Sequence, residues 1–305
     1  MPNRKVCIVG VGKIAVDQHV PAINDSPDWE LAATVSRKGS VEGIPTFRDF
    51  DVMLEERQDI EVISLCLPPQ PRFQYARKAL KAGRHVMLEK PPGQTLAEVH
   101  HLERLAREAG VTLFATWHSR MGKGVAGAKA ALAGQEVTGG TISWKEDVRH
   151  WHPGQEWVFE PGGMGVFDPG INALSILTEI LPKPVHVIRA ELDYPEGRQT
   201  PIAARVTFTR GVEMELDWLQ KGPPSWDMDV ETAEGTRVTL RSGGNKLEVN
   251  GETRPVSDVD EYPALYARMA GLVNRGESDV DLSPMVHVSD AMTLGKRNVV
   301  EPFAF

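Results

Sequence analysis

The sequence predicts an α/β protein with two domains: a doubly wound parallel sheet, then an α+β domain with an open, mainly antiparallel sheet. Three observations predict this fold class. Apolar runs alternate with helical segments over residues 1–120, a glycine-rich turn follows the first run, and short alternating strands fill much of residues 121–305. We therefore place the domain boundary between residues 120 and 121.

The turn after the first apolar run is typical of dinucleotide-binding sites. Residues 6–9 form a predicted buried strand, and Gly10-Val-Gly12-Lys13-Ile14-Ala15 follows. Gly10 permits a tight turn, Gly12 lets the backbone approach a pyrophosphate, and the N-terminus of the next helix favours negative charge. This pattern predicts a Rossmann domain, although a purely structural strand–turn–helix is an alternative. The predicted cofactor contacts here are Gly10, Gly12, Lys13 and Ile14.

The remaining elements of the first domain follow in order. Apolar runs predict strands over residues 30–35, 60–67, 85–88 and 112–116, and helical spacing covers residues 72–82 and 96–109. Gly83 and Gly110 lie just past these helices, where a left-handed residue is favoured. Thr95 and Glu98 form a predicted capping box at the start of the second.

The second domain begins with helices predicted over residues 125–133 and 168–181. Between them, residues 147–167 form a long irregular segment rich in Trp, His, Gly and Pro, which is typical of functional loops. Antiparallel strands are predicted over residues 185–194, 203–208, 212–218, 228–232, 237–241 and 246–249. Two helices close the chain, over residues 263–275 and from Pro284, with Ser283 as N-cap.

Composition and charge disfavour several classes of protein. The net charge of −8 argues against nucleic-acid or anionic-membrane partners. No apolar run approaches the roughly 20 residues that cross a bilayer, and no signal-peptide pattern is present, so we expect a cytoplasmic protein. Cys7 and Cys66 both lie in apolar runs and are expected to be buried, reduced thiols.

The end of the second strand predicts the cofactor preference. An NAD site usually carries an acidic residue there, whereas this chain has Ser36-Arg37, and a guanidinium grips a 2′-phosphate. We therefore expect NADP to be preferred and NAD to be tolerated. The loop Leu67-Pro68-Pro-Gln70 at the end of the strand predicted over residues 60–67 either lines the cofactor ribose or is an ordinary turn.

A charged pair follows the strand predicted over residues 85–88, in Glu89-Lys90-Pro91. Open α/β sheets place their ligands at such strand ends, although a solvated ion pair is an alternative. In the second domain a predicted helix begins Asp168-Pro-Gly-Ile-Asn172. Together with the N-terminal glycine turn, these motifs resemble the Gfo/Idh/MocA oxidoreductases over essentially the whole chain. The resemblance implies a first domain that binds NAD(P) through contacts including Glu89 and Lys90, and a second that binds substrate.

Further motifs are similar to the bacterial aldose 1-dehydrogenases of this family, which act on L-arabinose and D-galactose. They are Phe114-Ala-Thr-Trp-His118, Trp144-Lys-Glu146 and Trp151-His152-Pro-Gly-Gln155. The wider family usually has His at the position of Asn172 and Asn at the position of His118, and both departures fit this subgroup. The resemblance implies oxidation of the sugar's anomeric carbon to the aldonolactone, with hydride transfer to NADP⁺ or NAD⁺.

The resemblance also implies roles for individual residues. Lys90, Asp168 and Asn172 bind the anomeric hydroxyl and remove its proton, and we favour Lys90 over Asp168 as the base. Asp168 alone is equally typical of a helix cap. Hydroxyls and the apolar face of a sugar suit carboxylates, imidazoles and indoles, so the expected substrate contacts are His118, Glu146, Trp151, His152, Asp168 and Asn172.

The sequence also bears on metal binding, on other functions and on assembly. The pair His150 and His152 has no further tight ligand pair nearby in sequence, so no metal is expected. A relative acting on another polyol or a dihydrodiol is one alternative, and a non-catalytic NAD(P)-sensing regulator is another. The family resemblance also implies a homodimer through the C-terminal sheet, with a monomer or a tetramer as the alternatives.

Overall fold

The computed structural model describes residues 3–305, which form two compact units. The first unit contains residues 3–118 together with Glu261–Asp281. The second contains Ser119–Asp260 and Leu282–Phe305. The helix that the sequence assigns to the C-terminal domain over residues 263–275 thus belongs to the first unit.

The first unit is built on a parallel sheet of six strands in the order β3-β2-β1-β4-β5-β6. Strand order reverses next to β1, which is the doubly wound arrangement of the Rossmann fold and confirms the predicted fold class. The strands are rich in fully buried Val, Ile and Leu because helices cover both faces of such a sheet. Their bounds are β1 Arg4–Val9, β2 Trp29–Val35, β3 Thr46–Phe47, β4 Val62–Leu65, β5 His85–Leu88 and β6 Leu113–Ala115.

The helix after β1 contains a π turn, Ala15–His19, that runs into α1, Val20–Asn24. Pro21 lacks an N–H and would crowd the carbonyl four residues earlier in a regular α-helix, so the wider turn accommodates it. The other helices of this unit are α2 Phe50–Glu56, α3 Pro69–Lys81, α4 Leu96–Ala109 and α8 Glu261–Arg275.

The ends of α3 and α4 test the predicted start and stop signals. Helix α3 begins at Pro69 rather than residue 72, because a proline in the first turn loses no helical hydrogen bond. Gly83 and Gly110 have φ of 72° and 67°, which confirms their left-handed conformation. The Thr95 hydroxyl accepts from the Glu98 N–H at 3.2 Å, and the Glu98 carboxylate accepts from the N–H of Gln94.

The second unit contains a sheet of nine strands in the order β14-β13-β12-β11-β7-β10-β9-β8-β15. Neighbours are antiparallel except β7–β10 and β8–β15, so the sheet is open and mainly antiparallel, as predicted. The bounds are β7 Val137–Lys145, β8 Val187–Pro195, β9 Ala203–Phe208, β10 Val212–Asp217, β11 Ser225–Thr232, β12 Arg237–Arg241, β13 Lys246–Val249, β14 Glu252–Thr253 and β15 Gly295–Val300.

The sequence patterns do not predict strands β7, β14 and β15 of this sheet. Gly139-Gly140 interrupts the apolar pattern of β7, although this strand lies near the middle of the sheet. A Cβ at Gly140 would lie 3.0 Å from the Asp229 carbonyl oxygen of β11, so the close strand approach favours glycine there.

Four helices accompany this sheet in the described part of the chain: α5 Val125–Leu132, α6 Val148–Trp151, α7 Phe167–Ile180 and α9 Ser283–Leu294. Helix α9 includes Ser283 itself, with Leu282 at the N-cap position, so the predicted N-cap is wrong by one residue. The segment over 147–167 is less irregular than expected, since it holds α6 and a 3₁₀ turn, Glu156–Phe159. Within residues 3–305, no helix has the length and hydropathy needed to cross a bilayer.

Candidate active site

The glycine turn after β1 has two glycines with different physical requirements. Gly10 has a φ of 94°, and a Cβ there would lie 3.0 Å from the Leu67 backbone nitrogen. Both the backbone conformation and the packing of the turn therefore require glycine at this position. A Cβ at Gly12 would meet no atom within 4 Å, so this glycine leaves open space at the turn. The Val16 N–H donates to the Gly12 carbonyl at 3.1 Å, which places the start of the helix at this opening.

A cleft of about 330 Å³ opens beside this turn. Six of the predicted cofactor residues line it together: Gly10, Gly12, Ser36, Arg37, Leu67 and Pro68. The other predicted contacts, Lys13, Ile14, Gln70, Glu89 and Lys90, do not line this cleft. Gln70 lies within α3, because that helix begins earlier than expected.

The cleft is cationic. Arg37, Lys38 and Arg48 line it, and the described lining residues include no Asp or Glu. Ser36 Oγ accepts from the Gly39 N–H at 3.0 Å, which fixes the turn that carries Arg37. Such a set of cations suits a phosphate group. Sequence reasoning missed Arg48, because it follows a strand of two residues that carries little pattern.

The two cysteines have different environments. Cys7 is fully buried in β1, and burial raises the pKa of its thiol. Cys66 is only half-buried and lines the cleft, so the prediction that both are buried is wrong for Cys66. The reason is position, since Cys66 follows the last residue of β4, where the strand opens onto the cleft.

Glu89, at the end of β5, is 6% exposed and is therefore not half of a solvated ion pair. Its carboxylate accepts from the Tyr262 hydroxyl and from the Lys90 N–H, each at 2.9 Å, and lies 2.9 Å from His19 Nε2. The guanidinium of Arg72 donates to the carbonyl oxygens of Glu89 and Pro91. Lys90 itself is half-buried. The motif is thus held by buried partners that sequence reasoning missed.

His118 lies in the first unit, on the side of α8. Its Nδ1 is 2.6 Å from a carboxylate oxygen of Glu261, and its ring stacks on Tyr262 with centroids 5.7 Å apart. These contacts do not test the expected contact between His118 and the sugar, which stays a prediction.

Asp168 and Asn172 lie one turn apart on α7, as predicted, and share one side of the helix. The N-cap position is Val166, so Asp168 lies inside the first turn and the capping interpretation is wrong. Asp168 is 8% exposed, and one of its oxygens lies 3.2 Å from His152 Nε2. Asn172 is half-buried.

In the same unit, two tryptophan side chains contact three of the other predicted substrate residues, which are Glu146, Trp151 and His152. Glu146, buried just after β7, accepts from Trp226 Nε1 at 2.9 Å and from Trp218 Nε1 at 3.4 Å. The His152 ring packs edge-on against Trp218, with centroids 5.3 Å apart. Trp151 is exposed and lies 5.5 Å from Trp226 between ring centroids. We call the group formed by Glu146, Trp151, His152, Asp168, Trp218 and Trp226 the polar–aromatic group.

Sequence reasoning missed both tryptophans, because Trp218 ends a predicted strand and Trp226 lies outside the predicted strands, between Ser225 and Asp227. Their indole N–H groups are the missed signal, since a buried indole needs an acceptor. Within residues 3–305, no group of three or more His, Cys, Asp or Glu side chains is arranged to hold a metal ion.

Comparison with known proteins places this geometry in a family. Residues 4–116 match the GFO_IDH_MocA model, an oxidoreductase family with an NAD-binding Rossmann fold. The chain is 39% identical to galactose 1-dehydrogenase of Pseudomonas fluorescens over 301 residues, which is 97% of each protein. The chain therefore belongs to the Gfo/Idh/MocA oxidoreductase family, as its motifs predict.

Solved structures extend the likeness to the whole fold. The crystal structure of D-galactose-1-dehydrogenase from Rhizobium etli matches with a TM-score of 0.94 and 50% identity, covering 100% of this chain and 99% of that one. A 3-ketoreductase from Actinomadura kijaniata, in complex with NADP and TDP-benzene, matches with a TM-score of 0.79 and 18% identity. That match covers 98% of this chain and 99% of the ketoreductase, and it shows a shared fold alone.

Proposed function

We propose that the protein is an NADP⁺-preferring aldose 1-dehydrogenase that oxidises the anomeric carbon of D-galactose, L-arabinose or both to the aldonolactone. The observation that carries the proposal is the polar–aromatic group, in which buried Asp168 and Glu146 are held by an imidazole and two indoles. The likeness to two galactose 1-dehydrogenases over nearly the full chain supports the same substrate class.

The chemistry of this group suits a sugar. Carboxylates and imidazoles accept and donate to hydroxyl groups, while an indole face packs on the C–H face of a pyranose. D-Galactose and L-arabinose share their configuration at C2, C3 and C4 and differ by an exocyclic CH₂OH. One set of polar contacts therefore serves both, and the space near C5 decides the preference.

The residues of the first unit fit a dinucleotide that carries a 2′-phosphate. The open space at Gly12 admits a pyrophosphate, and Gly10 and Leu67 shape the turn beside it. Ser36, Arg37 and Arg48 would hold the 2′-phosphate, which gives NADP⁺ an advantage over NAD⁺. NAD⁺ remains a weaker alternative cofactor.

In the proposed reaction, Lys90 is the base that removes the proton of the anomeric hydroxyl. Asp168 and Asn172 bind that hydroxyl and orient it, and Glu146 and His152 bind other hydroxyls of the ring. The oxidised nicotinamide, when bound, accepts the hydride that leaves C1. The chain's own contribution is thus to place one amine and several hydrogen-bonding groups around a sugar.

Deuterium at C1 of the sugar tests which carbon is oxidised. We expect the label to leave the sugar and appear on the reduced cofactor, with the aldonolactone as the NMR-identified product. An oxidised product that still carries deuterium at C1 would contradict anomeric oxidation.

We also propose that two copies pair through the sheet of the second unit. Ile188 on β8 and Val299 on the neighbouring edge strand β15 are large apolar side chains left exposed, at 56% and 76%. Light scattering on the purified protein should give twice the monomer mass, and Val299→Lys should weaken the pairing. A monomer at high concentration would contradict this assembly.

A further inference from the structure

A buried cluster of titratable groups lies behind the Glu89-Lys90 motif, and no step of the proposed reaction uses it. His19 is 1% exposed and Glu89 is 6% exposed. His19 Nε2 lies 2.9 Å from Glu89 Oε1, and its Nδ1 lies 2.9 Å from the Tyr266 hydroxyl. The Tyr262 hydroxyl donates to the same Glu89 oxygen at 2.9 Å.

The surroundings shift the pKa values of Glu89 and His19 in opposite directions, and each shift favours the charged form of that group. Burial works to raise the pKa of Glu89, but the hydrogen bond and charge of His19, with His118 and Arg72, bring it below its usual range. Burial works to lower the pKa of His19, but Cys66, Tyr266 and Glu89 raise it well above its ordinary value. A buried imidazolium–carboxylate pair is not the most stable way to fill a core, so a requirement beyond packing is indicated.

Glu89 and Arg72 fix the position of the main chain around Lys90 through hydrogen bonds. One carboxylate oxygen, Oε1, lies 2.9 Å from His19 Nε2 and accepts a hydrogen bond from the Tyr262 hydroxyl. The other, Oε2, accepts a hydrogen bond from the Lys90 N–H at 2.9 Å. Arg72 holds the carbonyl oxygens on both sides of Lys90, those of Glu89 and Pro91. The backbone before, at and after Lys90 is therefore held by buried charged groups.

We propose that Glu89 is a positioning residue for Lys90, and that His19 and Tyr262 hold its carboxylate in the orientation this requires. His19 ends the π turn that follows the glycine turn, so the same helix that opens at Gly12 reaches Glu89 through one hydrogen bond. His19 therefore links the helix proposed to face the cofactor phosphates to Glu89, which holds the backbone of Lys90. The inference rests on the proposed function, in which Lys90 is the base.

The substitution Glu89→Gln tests the proposal because an amide has a single oxygen. All three groups around the carboxylate place their hydrogen bonds on its two oxygens, so in either amide orientation an NH₂ group replaces one accepting oxygen and the negative charge is lost. We expect kcat for the preferred sugar to fall about 100-fold, as for a base displaced by about 1 Å. KM and the Kd for NADP⁺ should change less than about 3-fold, since the proposed role of Glu89 is to position Lys90 and Glu89 does not line the cationic cleft.

Tyr262→Phe is the second variant, because it removes one hydroxyl and keeps the ring. It should lower kcat about 10-fold, as expected for one hydrogen bond to a charged group. Glu108→Gln, at an exposed glutamate on α4, is the matched control and should behave as wild type. A kcat within about 3-fold of wild type in folded Glu89→Gln and Tyr262→Phe would overturn the proposal.

Amide exchange at Lys90 provides a readout that does not depend on turnover. The Lys90 N–H is protected by its bond to Glu89, so Glu89→Gln should accelerate its exchange about 10-fold or more while β1 and β4 stay protected. Unchanged exchange would overturn the positioning role even if no sugar were a substrate. Absence of turnover in wild-type protein, with accelerated exchange in the variant, would instead count against the proposed function alone.

Discussion

His152 and Asp168 form a close pair in the second unit, with Nε2 of the imidazole 3.2 Å from a carboxylate oxygen. Asp168 is nearly buried, and the imidazole is backed by the ring of Trp218. The pair therefore presents an oriented carboxylate and imidazole rather than two mobile side chains. This arrangement suits binding of a sugar hydroxyl, with His152 orienting Asp168.

Replacing His152 should damage sugar use without affecting the cofactor. We expect His152→Asn to lower kcat/KM for the sugar about 10–150-fold, the loss of one charge-assisted hydrogen bond. The Kd for NADP⁺ should stay unchanged. His150→Asn is the matched control two residues away, in α6, since His150 is exposed and the substitution should change kcat/KM less than about 2-fold. Equal losses in both variants would contradict a specific role for His152.

Removing the amine of Lys90 should abolish most turnover. Lys90→Met keeps the length of the side chain and removes the base, so kcat should fall about 10²–10⁴-fold. NADP⁺ titration should give a Kd close to wild type, and Lys81→Met, at the exposed end of α3, should be fully active. Retained turnover in Lys90→Met would assign the base to another group, with Asp168→Asn as the next variant.

The cations of the cleft should set the cofactor preference. Arg37→Ala should lower the ratio of kcat/KM for NADP⁺ to that for NAD⁺ about 10–150-fold, because one charge-assisted contact to the 2′-phosphate is lost. Arg48→Ala should move the ratio in the same direction, since Arg48 lines the same cleft. Arg104→Ala, on the exposed face of α4, serves as control. A constant ratio in all three variants would refute this assignment.

The two glycines of the turn should fail in different ways. Gly10→Ala combines a φ of 94° with a Cβ within 3.0 Å of Leu67, so it should destabilise the protein without cofactor by about 2 kcal/mol or more. Gly12→Ala has room for its methyl group and should keep the wild-type melting temperature. It should weaken NADP⁺ binding about 10-fold, because the methyl group occupies space open to phosphate. Similar melting and binding in both variants would contradict the distinction.

The buried pair should leave a mark on stability against pH. Folded His19 retains a proton that the unfolded chain releases above about pH 6.5, because its folded pKa is raised. Its stabilisation is therefore complete below about pH 6.5 and declines as pH rises through the folded pKa, by at most about 1.4 kcal/mol per pH unit. Urea unfolding of His19→Gln should show a shallower decline than wild type between about pH 6.5 and 9.

His100→Gln provides the comparison for this experiment, because His100 is exposed on α4. Its stability should follow the wild-type dependence on pH. The sign is opposite for Glu89, whose lowered pKa stabilises the fold above about pH 4.3 and loses that contribution in acid. Identical slopes for wild type and His19→Gln at alkaline pH would show that His19 is not protonated in the fold.

The parts of the fold that the sequence predicts are those with strong local patterns. The strands of the first unit are continuous apolar runs, and helix α4 carries both its cap at Thr95 and its stop at Gly110. Strand β7 was missed because Gly139-Gly140 resembles a loop, and only its neighbours β10 and β11 make it a strand. Tertiary pairing, rather than propensity, decides such a segment.

In the candidate site, too, the sequence predicts the residues that belong to local motifs and misses the others. Gly10, Gly12, Arg37 and Asp168 stand in motifs with recognisable spacing. Tyr262 contacts Glu89 across 173 positions of sequence, and His19 contacts it across 70, so no local pattern announces either residue. Sequence alone therefore finds the groups that motifs carry and misses those that only folding brings together.

The most direct test of the central claim is the appearance of reduced nicotinamide absorbance with purified protein, NADP⁺ or NAD⁺, and a panel of sugars. We expect rapid reduction of NADP⁺ with D-galactose or L-arabinose, slower reduction of NAD⁺, and little reaction with D-glucose or myo-inositol. Tight NADP⁺ binding with no reduction by any aldose would contradict the account and direct attention to another polyol, a dihydrodiol or a regulatory role.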